Sequence, residues 1–352
     1  MSLSLRLAQR LQQAWREDDA LAQALRPLAA LHRVVQTLKV CVYRRRLKRS
    51  AALPVPVIVV GNWIVGGAGK TPTLLALLTH LRALGLRVGV VSRGYGRRED
   101  GGVHLVQPGD PAELCGDEPL LIRLRSGVPV AVGRDRVAAA RLLLDRHPEL
   151  QLLLSDDGLQ HWRLPRQLSI LVFDERGLGN GRLLPAGPLR QDRELPPPPG
   201  SAGTRLVLYN ATAPSTPLPG HLARRELAGA VRLRDWCAGE PARLDALHAL
   251  RGRPLLAAAG LAQPERFFAM LEQQGLTLER LPLADHATLQ PLPWPREREV
   301  LVTEKDAVKL RHLAQDDPPI WVVALDFRPE HAFFEALQHC LRPLLSHGST
   351  TD

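Results

Sequence analysis

Apolar runs alternate with amphipathic stretches along most of the chain. The run Val55–Val60 is apolar throughout and predicts a buried strand. From Lys70 onward leucines recur at helical spacing, which predicts a helix shortly after that strand. The same alternation predicts strands at 86–91, 128–132, 150–154 and 168–173, and helices at 120–125 and 136–146. Apolar strands that alternate with helices are typical of a parallel sheet covered on both faces.

A run of prolines at 196–199 interrupts this alternation. Proline-rich sequence is stiff, so residues 196–204 are predicted to connect a first α/β domain, residues 51–195, to a second, residues 205–345. The second domain is predicted to contain strands at 255–259, 300–303 and 321–325, and helices at 264–274 and 333–341. Residues 346–352 are predicted to be a frayed tail.

The first 50 residues form a basic segment of their own. They contain eleven Arg or Lys against three acids, which is most of the chain's net charge of +10. Apolar residues recur at helical spacing from Leu21 to Val42, and Pro27 is predicted to break or kink that helix. Two interpretations stay open: a helix packed on the protein's own core, or an amphipathic helix at an anionic membrane surface. An apolar run of about 18 residues, as a membrane-spanning helix needs, does not occur here.

Composition narrows the function classes. Aromatic residues make up 4% of the chain and are rarely interleaved with basic ones, so a nucleic-acid partner is not expected. The cysteines lack the paired spacing of metal or disulfide sites and are predicted to be free thiols in a reducing compartment. They are Cys41, Cys115, Cys237 and Cys340.

The sequence between the first predicted strand and helix is rich in glycine and ends in Gly-Lys-Thr. Such a loop points backbone N–H groups at a phosphate, and the following helix adds the positive end of its dipole. Lys70 is predicted to reach the β- and γ-phosphates, and the Thr71 hydroxyl to bind Mg²⁺. The predicted nucleotide-binding residues are Gly66, Gly67, Ala68, Gly69, Lys70 and Thr71. Ile64 stands where the usual pattern has its first glycine, and a glycine-rich turn without a ligand is the alternative.

Two acidic residues follow one of the predicted strands. Asp156 and Asp157 follow the predicted strand 150–154 after one serine, Ser155, where a P-loop enzyme holds Mg²⁺. Ordinary turn residues are the alternative. Gln160 and His161 lie a few residues further on and are expected to face the same crevice, although a lone histidine there is more often structural than catalytic.

Three further motifs carry side chains suited to phosphoryl transfer, each with a plainer alternative. Asp117, in a Gly-Asp-Glu-Pro segment, can accept the proton of an attacking hydroxyl, but the segment is also a helix-start signal. The residues Asp285 and His286 form either an acid–histidine pair that orients a general base or a surface turn. Arg93 and Arg190 lie in polar loops and are either phosphate clamps or solvated arginines.

Taken together, these segments resemble the tetraacyldisaccharide 4′-kinase family, the lipid A 4′-kinases. The segments that carry the resemblance are VVGNWIVGGAGKTP at 59–72, SRGYGR at 92–97, GDEP at 116–119, SDDGLQHWRL at 155–164, GNGRLLPAGPLR at 179–190, ADH at 284–286 and VTEKDAVKL at 302–310. They occur in the family's order. The family also has a P-loop without the first glycine, so Ile64 agrees with it.

The resemblance implies a kinase that transfers the γ-phosphoryl group of ATP to the 4′-hydroxyl of a tetraacyl disaccharide 1-phosphate. It implies two Rossmann-like α/β/α domains, the first a P-loop NTPase-type sheet, with the active site between them. Matching positions imply Asp117 as catalytic base, His286 as its partner, Lys70 on the phosphates, and Asp156 and Asp157 at the metal. The residues expected to line the site are Arg93, Tyr95, Gln160, His161 and Arg190.

Two features depart from the family pattern. Gln191 stands where the family has a glutamate that helps at the metal, and it is grouped with the metal site as a neutral residue. The N-terminal segment is more polar than the family's hydrophobic helix, so attachment to the cytoplasmic face of the bacterial inner membrane is predicted to be peripheral and electrostatic. A membrane-associated P-loop ATPase of the partitioning type is the alternative function. Those proteins have a lysine where this chain has Val65, which counts against it.

Overall fold

The computed structural model of the chain describes residues 3–98, 102–316 and 319–346. Its strands are β1 (Val57–Gly61), β2 (Val88–Ser92), β3 (His104–Leu105), β4 (Val130–Val132), β5 (Leu152–Asp156), β6 (Leu168–Phe173), β7 (Arg205–Tyr209), β8 (His221–Arg232), β9 (Leu255–Ala259), β10 (Leu278–Pro282), β11 (Val300–Thr303) and β12 (Ile320–Pro329). The strands predicted from the pattern are all present, with ends shifted by a few residues.

The predicted helices are present as well. The helices are α1 (Leu3–Glu17), α2 (Ala20–Ala24), α3 (Arg26–Arg44), α4 (Lys70–Ala83), α5 (Ala112–Cys115), α6 (Asp117–Ser126), α7 (Arg136–Arg146), α8 (Leu233–Cys237), α9 (Leu244–His248), α10 (Pro264–Gln273), α11 (Glu304–Leu310) and α12 (His331–Ser346), with a 3-10 helix at Arg311–Asp316. The tail predicted at 346–352 lies, beyond Ser346, outside the described residues. The four cysteines are free thiols, as predicted.

The strands form one sheet of mixed but mostly parallel direction. Its twelve strands run in the order β10-β9-β11-β12-β8-β7-β6-β1-β5-β2-β4-β3. β1 lies between β5 and β6 and is parallel to both. The pairs β8–β12 and β3–β4 are antiparallel. The predicted α/β class with a large parallel sheet is thereby confirmed.

β8 joins the two parts of this sheet. It begins parallel to β7, with His221 opposite Leu208, and runs antiparallel to β12, with Arg232 opposite Trp321. We call the residues before His221 the first half of the chain and the remainder the second half. The predicted connector at 196–204 leads into β7, and β7 pairs with β6 of the first half. The division into domains at 51–195 and 205–345 stays a prediction.

The central strands are buried on both faces, which explains why their sequences are apolar throughout. In β1, Ile58 and Val60 belong to one core cluster while Val57 and Val59 belong to another. The leucines of α4 fill the first of these clusters. The strand begins after Pro56 because proline has no N–H to donate to the ladder.

The N-terminal segment forms three helices. The Asp19 carboxylate caps α2 by accepting from the N–H groups of Leu21 and Ala22. α3 then starts at Arg26, and Pro27 lies in its first turn. A proline there breaks no helical hydrogen bond. The break predicted at Pro27 is therefore the start of a new helix.

The two faces of α3 have different surroundings. One face packs on the first half: Gln36 Nε2 donates to the carbonyl of Arg190 at 2.9 Å, and the rings of Tyr43 and Trp162 lie 5.5 Å apart. The opposite face, which we call the exposed apolar face of α3, has side chains 53% to 60% exposed: Leu28, Leu31, Val34, Val35 and Leu38. Within the described ranges, no helix is both long and apolar enough to cross a bilayer.

Candidate active site

The glycine-rich loop runs from the end of β1 to the start of α4. Gly66 and Gly69 have φ angles of +90° and +92°, in the left-handed region that glycine adopts readily. Gly69 is the N-cap of α4, so Lys70 and Thr71 begin the helix. The loop therefore has the conformation that points backbone N–H groups at an anion.

Ile64 has a structural role that accounts for its departure from the usual pattern. Its side chain is fully buried in a core cluster that includes Leu189. Its backbone forms a bridge to Leu189, and the N–H of Val65 donates to the carbonyl of Pro188 at 2.9 Å. The backbone is paired with the segment 183–190 at this point, and the turn begins only at Gly66.

Three side chains hold the loop by its carbonyl groups. Nitrogens of Asn62, Arg176 and Asn210 donate to the carbonyls of residues 65–68 at distances between 3.0 and 3.2 Å. Arg176 is fixed in turn by the buried carboxylate of Asp174, with Nη2 2.8 Å from Oδ2. These bonds fix the loop before any ligand binds.

The carboxylates of Asp156 and Asp157, beside the loop, have different partners. Both oxygens of Asp157 accept hydrogen bonds from Arg190 Nη1 at 2.8 Å, and Lys70 Nζ lies 3.7 Å from Oδ1. Asp156 is buried, and its Oδ2 accepts from Ser92 Oγ at 3.1 Å. Its Oδ1 is buried without a hydrogen-bond partner among the described residues.

Because their partners differ, the pKa values of the two carboxylates are shifted in opposite directions. Burial, together with the charges of Glu118 and Asp157, raises the pKa of Asp156 to about 7. For Asp157 burial acts in the same direction, but the charges of Lys70 and Arg190 outweigh it and lower the pKa. A cation beside Asp156 would supply the compensation that this carboxylate lacks.

The predicted metal-binding residues fit Mg²⁺ in their chemistry. Thr71, Asp156 and Asp157 line the same cavity, and hydroxyl and carboxylate oxygens are ligands that Mg²⁺ prefers. Gln191 does not line that cavity; its Oε1 accepts from Gln160 Nε2 at 3.0 Å. Arg190 Nη1 lies 3.3 Å from Gln160 Oε1, so Gln191 is linked to Asp157 through these two side chains.

His161 lies on the same side of the cavity and is neutral. Burial, reinforced by the charge of Arg136, lowers the pKa of its ring to about 4. Its Nε2 atom is 4.0 Å from a carboxylate oxygen of Asp135 and has no hydrogen-bond partner among the described residues. The ring therefore lines the cleft as an uncharged group whose Nε2 atom is buried.

A second group of charged side chains forms where the two halves meet. His286 Nδ1 lies 2.8 and 3.0 Å from the two carboxylate oxygens of Asp117, the first residue of α6. Lys305 Nζ donates to Glu118 at 3.0 Å, to Asp285 at 2.7 Å and to His286 Nε2 at 3.2 Å. Since an ammonium group can only donate, Nε2 accepts here and Nδ1 carries the hydrogen that Asp117 accepts.

The charges of Asp117 and His286 stabilise one another. Burial alone would raise the pKa of Asp117, but the hydrogen bond from His286 and the charges of Lys305 and Lys309 lower it. Burial and the charge of Lys305 oppose a charge on His286, yet the hydrogen bond to Asp117 and the charges of Asp117 and Asp285 raise the pKa of the ring. A proton gained by the ring goes to Nε2, the atom that accepts from Lys305 here, while the carboxylate of Asp117 stays ionised.

One cavity of about 1410 Å³ brings both groups together, and we call it the cleft. It is lined by the glycine-rich loop, Asp156, Asp157, His286 and Lys305. Arg93 and Tyr95 also line it, and the Tyr95 ring packs on that of His286 with centroids 4.9 Å apart. Of the predicted site residues, Ala68, Asp117 and Gln191 are not among its lining residues.

Sequence reasoning missed several residues of the cleft. Lys305 lies inside the segment 302–310 that carries the resemblance, so the sequence could have identified it as a candidate site residue. Arg136 was predicted only as the start of a helix, yet it is buried and its Nη2 donates to the carbonyl of Asp157 at 3.4 Å. Arg225 lies on β8, which the pattern did not predict because charged residues interrupt its apolar positions.

Comparison with known proteins gives a consistent result. Residues 21–342 match the family described as tetraacyldisaccharide-1-P 4′-kinase. A protein of Methylibium petroleiphilum named tetraacyldisaccharide 4′-kinase is 54% identical, over 95% of this chain and 94% of its own. A protein of Leptothrix cholodnii with the same name is 50% identical, over 94% and 95%. A crystal structure of LpxK from Aquifex aeolicus in complex with ATP is similar with a TM-score of 0.74 and 26% identity, covering 92% of this chain and 99% of the other.

Proposed function

The chain belongs to the tetraacyldisaccharide-1-P 4′-kinase family, and from this premise we propose which of its residues carry out the reaction. It is an ATP-dependent kinase of lipid A biosynthesis that phosphorylates the 4′-hydroxyl of a tetraacyl disaccharide 1-phosphate. The observation that carries the residue assignment is that the glycine-rich loop and His286, whose ring is hydrogen-bonded to Asp117, both line the cleft. The loop is suited to bind the phosphoryl donor, and the pair of His286 and Asp117 is suited to accept the proton that the acceptor hydroxyl loses.

The loop binds the triphosphate of ATP. Backbone N–H groups of Gly66, Gly67, Ala68 and Gly69 contact its oxygens, and Lys70 neutralises charge on the β- and γ-phosphates. The carbonyl bonds from Asn62, Arg176 and Asn210 support this assignment, because a loop fixed in advance loses little entropy when the nucleotide binds.

Thr71, Asp156 and Asp157 would hold Mg²⁺ beside the nucleotide, with Gln191 as an outer member of the group through Gln160. When bound, the ion supplies charge neutralisation on the β- and γ-oxygens. The raised pKa of Asp156 supports this assignment, because its carboxylate has no cationic side chain bonded to it among the described residues. Arg190 holds Asp157 in place for the same purpose.

Asp117 and His286 act as one unit that accepts the proton of the 4′-hydroxyl. The hydroxyl oxygen attacks the γ-phosphorus, the bond from that phosphorus to the β,γ-bridging oxygen breaks, and ADP leaves. His286 faces the cleft, and Asp117 orients the ring and stabilises the charge that the ring gains. We assign Arg93, Tyr95, Gln160, His161 and Arg190 to binding the anionic glycolipid.

The enzyme attaches peripherally to the cytoplasmic face of the inner membrane through its N-terminal segment. The exposed apolar face of α3 supports this assignment, as does the run of basic residues that ends the segment: Arg44, Arg45, Arg46, Lys48 and Arg49. Sedimentation with anionic vesicles tests it. The change Leu31→Glu should weaken binding, whereas Leu84→Glu, at another exposed leucine, should not. Equal binding by both variants would exclude this face as the attachment surface.

A matched pair of variants tests the proton acceptor. Another acid–histidine pair, Asp110 and His104, is joined at 2.6 Å outside the cleft. We expect Asp117→Asn to lower the rate of phosphoryl transfer from ATP to the monophosphorylated disaccharide by about 10²- to 10⁴-fold, and Asp110→Asn to leave it unchanged. The phosphorylated product is resolved by mass. Transfer by Asp117→Asn at the wild-type rate would refute the assignment.

A further inference from the structure

Arg225 brings a positive charge to the glycine-rich loop from the second half of the chain. It lies on β8 opposite Phe327 of β12, and it lines the cleft. Its Nη2 atom is 3.2 Å from the point where a Cβ on Gly69 would stand. The guanidinium group therefore reaches the turn that immediately precedes Lys70.

The charge of Arg225 has no anionic partner among residues 3–98, 102–316 and 319–346. The acids that act on it are engaged elsewhere: Asp174 is 2.8 Å from Arg176, and Glu175 pairs with Arg266. Its Nε atom is buried without a hydrogen-bond partner in that part of the chain. Burial and the charge of Arg266 lower the pKa of the group to about 10. Arg225 is half-buried, and a partly desolvated cation without an anionic partner is costly, so its position beside an anion-binding loop indicates a functional reason.

The start of α4 supplies such a reason. A P-loop cradles the α- and β-phosphates with backbone N–H groups. Here residue 72 is a proline without an N–H, and the N–H of Thr73 donates to the carbonyl of Gly69 at 3.1 Å. The first turn thus keeps only the N–H groups of Lys70 and Thr71 for a phosphate. A side-chain donor beside Gly69 replaces what Pro72 removes.

We propose that Arg225 is a nucleotide-binding residue that donates to the α- and β-phosphate oxygens of ATP across Gly69. The proposal rests on the glycine-rich loop binding ATP as proposed above. A guanidinium group presents paired N–H groups whose spacing matches two phosphate oxygens, which the single ammonium of lysine does not reproduce. A Cβ at residue 69 would stand 3.2 Å from Arg225 Nη2 and 2.2 Å from Asn210 Nδ2. The absence of a side chain at Gly69 therefore leaves room for both groups beside the loop.

Nucleotide affinity measured on the full chain tests the proposal. Dissociation constants for ATP and ADP are measured by calorimetry for the wild type, Arg225→Met, Arg225→Lys and the control Arg224→Met. Arg224 is the adjacent residue of β8 and is exposed. We expect Arg225→Met to weaken ATP and ADP equally, by about 10- to 100-fold, and Arg225→Lys to lose less. Arg224→Met should match the wild type.

The alternative results have distinct meanings. Wild-type ATP affinity in a folded Arg225→Met variant overturns the proposal, and so does a loss confined to ATP, which would move the contact to the γ-phosphate. If Arg225→Met does not fold, Arg225→Lys is compared with Arg224→Lys, and equal affinities overturn the proposal. The variant Lys70→Met tests the underlying function separately: wild-type ATP affinity in that variant would refute the loop as the nucleotide site, whatever Arg225 does.

Discussion

The two ends of the cleft are built in different ways. At the donor end, the loop between β1 and α4 takes its shape from two left-handed glycines and from side chains that bond its carbonyls. At the acceptor end, Asp117 and His286 are 169 positions apart in sequence, and contacts between the halves bring them together, among them the ion pairs of Lys305 and Lys309 of α11 with acids of α6. The donor end is thus largely fixed by local geometry, whereas the acceptor end depends on how the two halves of the chain meet.

Removing Lys305 should show that dependence most strongly. Lys305→Met leaves Glu118 and Asp285 without the cation that binds both. Because both carboxylates are partly exposed to water, we expect the free energy of unfolding to fall by about 2 to 3 kcal/mol. Arg298→Met, at the exposed pair with Glu279, serves as a control and should cost about 1 kcal/mol or less. Chemical denaturation measures both. Similar losses in the two variants would mean that α11 does not hold the halves together through this cation.

Removing the cation of the donor end should act on rate rather than on folding. We expect Lys70→Met to lower kcat by about 10²- to 10³-fold, because it removes charge stabilisation of the transferred phosphoryl group. The fold should persist, since Asn62, Arg176 and Asn210 still hold the loop. Steady-state kinetics and thermal unfolding check the two parts, with Arg146→Met, at an exposed position of α7, as a control. A variant that unfolds would show that the loop depends on Lys70 for its shape.

A smaller effect is expected at Ile64, where the donor end joins the core. Ile64→Val removes one buried methylene group and should cost about 0.5 to 1.5 kcal/mol of unfolding free energy, with no change in ATP affinity. Ile64→Gly restores the usual pattern of the motif and should be much less stable without binding ATP more tightly. Denaturation and calorimetry provide the measurements. Tighter ATP binding by Ile64→Gly would contradict the structural role of this side chain.

The most delicate test of the acceptor end is the titration of His286. The pKa of its ring is raised by Asp117, so below that pKa the ring is already charged and the pair cannot take another proton. We expect kcat/KM, which reports the groups of the free enzyme, to rise with pH as the pH passes through this raised pKa. Asp117→Asn should move the ring's titration, followed by NMR, to lower pH, and Asp110→Asn should not move it. If the ring of His286 titrates at the same pH in Asp117→Asn as in the wild type, the carboxylate of Asp117 does not raise the pKa of that ring.

The sequence predicted best what depends on neighbouring residues. The buried strands, the loop with Lys70 and Thr71, and the two carboxylates at the end of β5 all follow from patterns a few residues long. Pro27 was assigned to a break, and the structure has a helix start there, because a proline's effect depends on its position within the turn. Helical periodicity alone left open which side of α3 packs and which is exposed.

Other features depend on contacts that a single sequence does not display. β8 escaped prediction because its arginines and glutamate resemble a surface segment, although the strand lies inside the sheet. The pairing of Asp117 with His286 entered only through the resemblance, since spacing alone favoured a turn at 285–286. No sequence pattern pointed to Arg225, because its guanidinium group comes close to Gly69 only when β8 pairs with β7 in the folded sheet.

The pairing of β7 with β6 bears on how this enzyme can be recombined with its relatives. The proline-rich segment looks like a natural crossover point, but an exchange made there would bring in a foreign β7 to complete the sheet beside β6. A chimera joined between β7 and β8 would exchange one strand contact, that of Leu208 and Tyr209 with His221 and Leu222. A crossover placed after Tyr209 therefore keeps β7 with the β6 strand that it pairs with, whereas a crossover at the prolines separates the two.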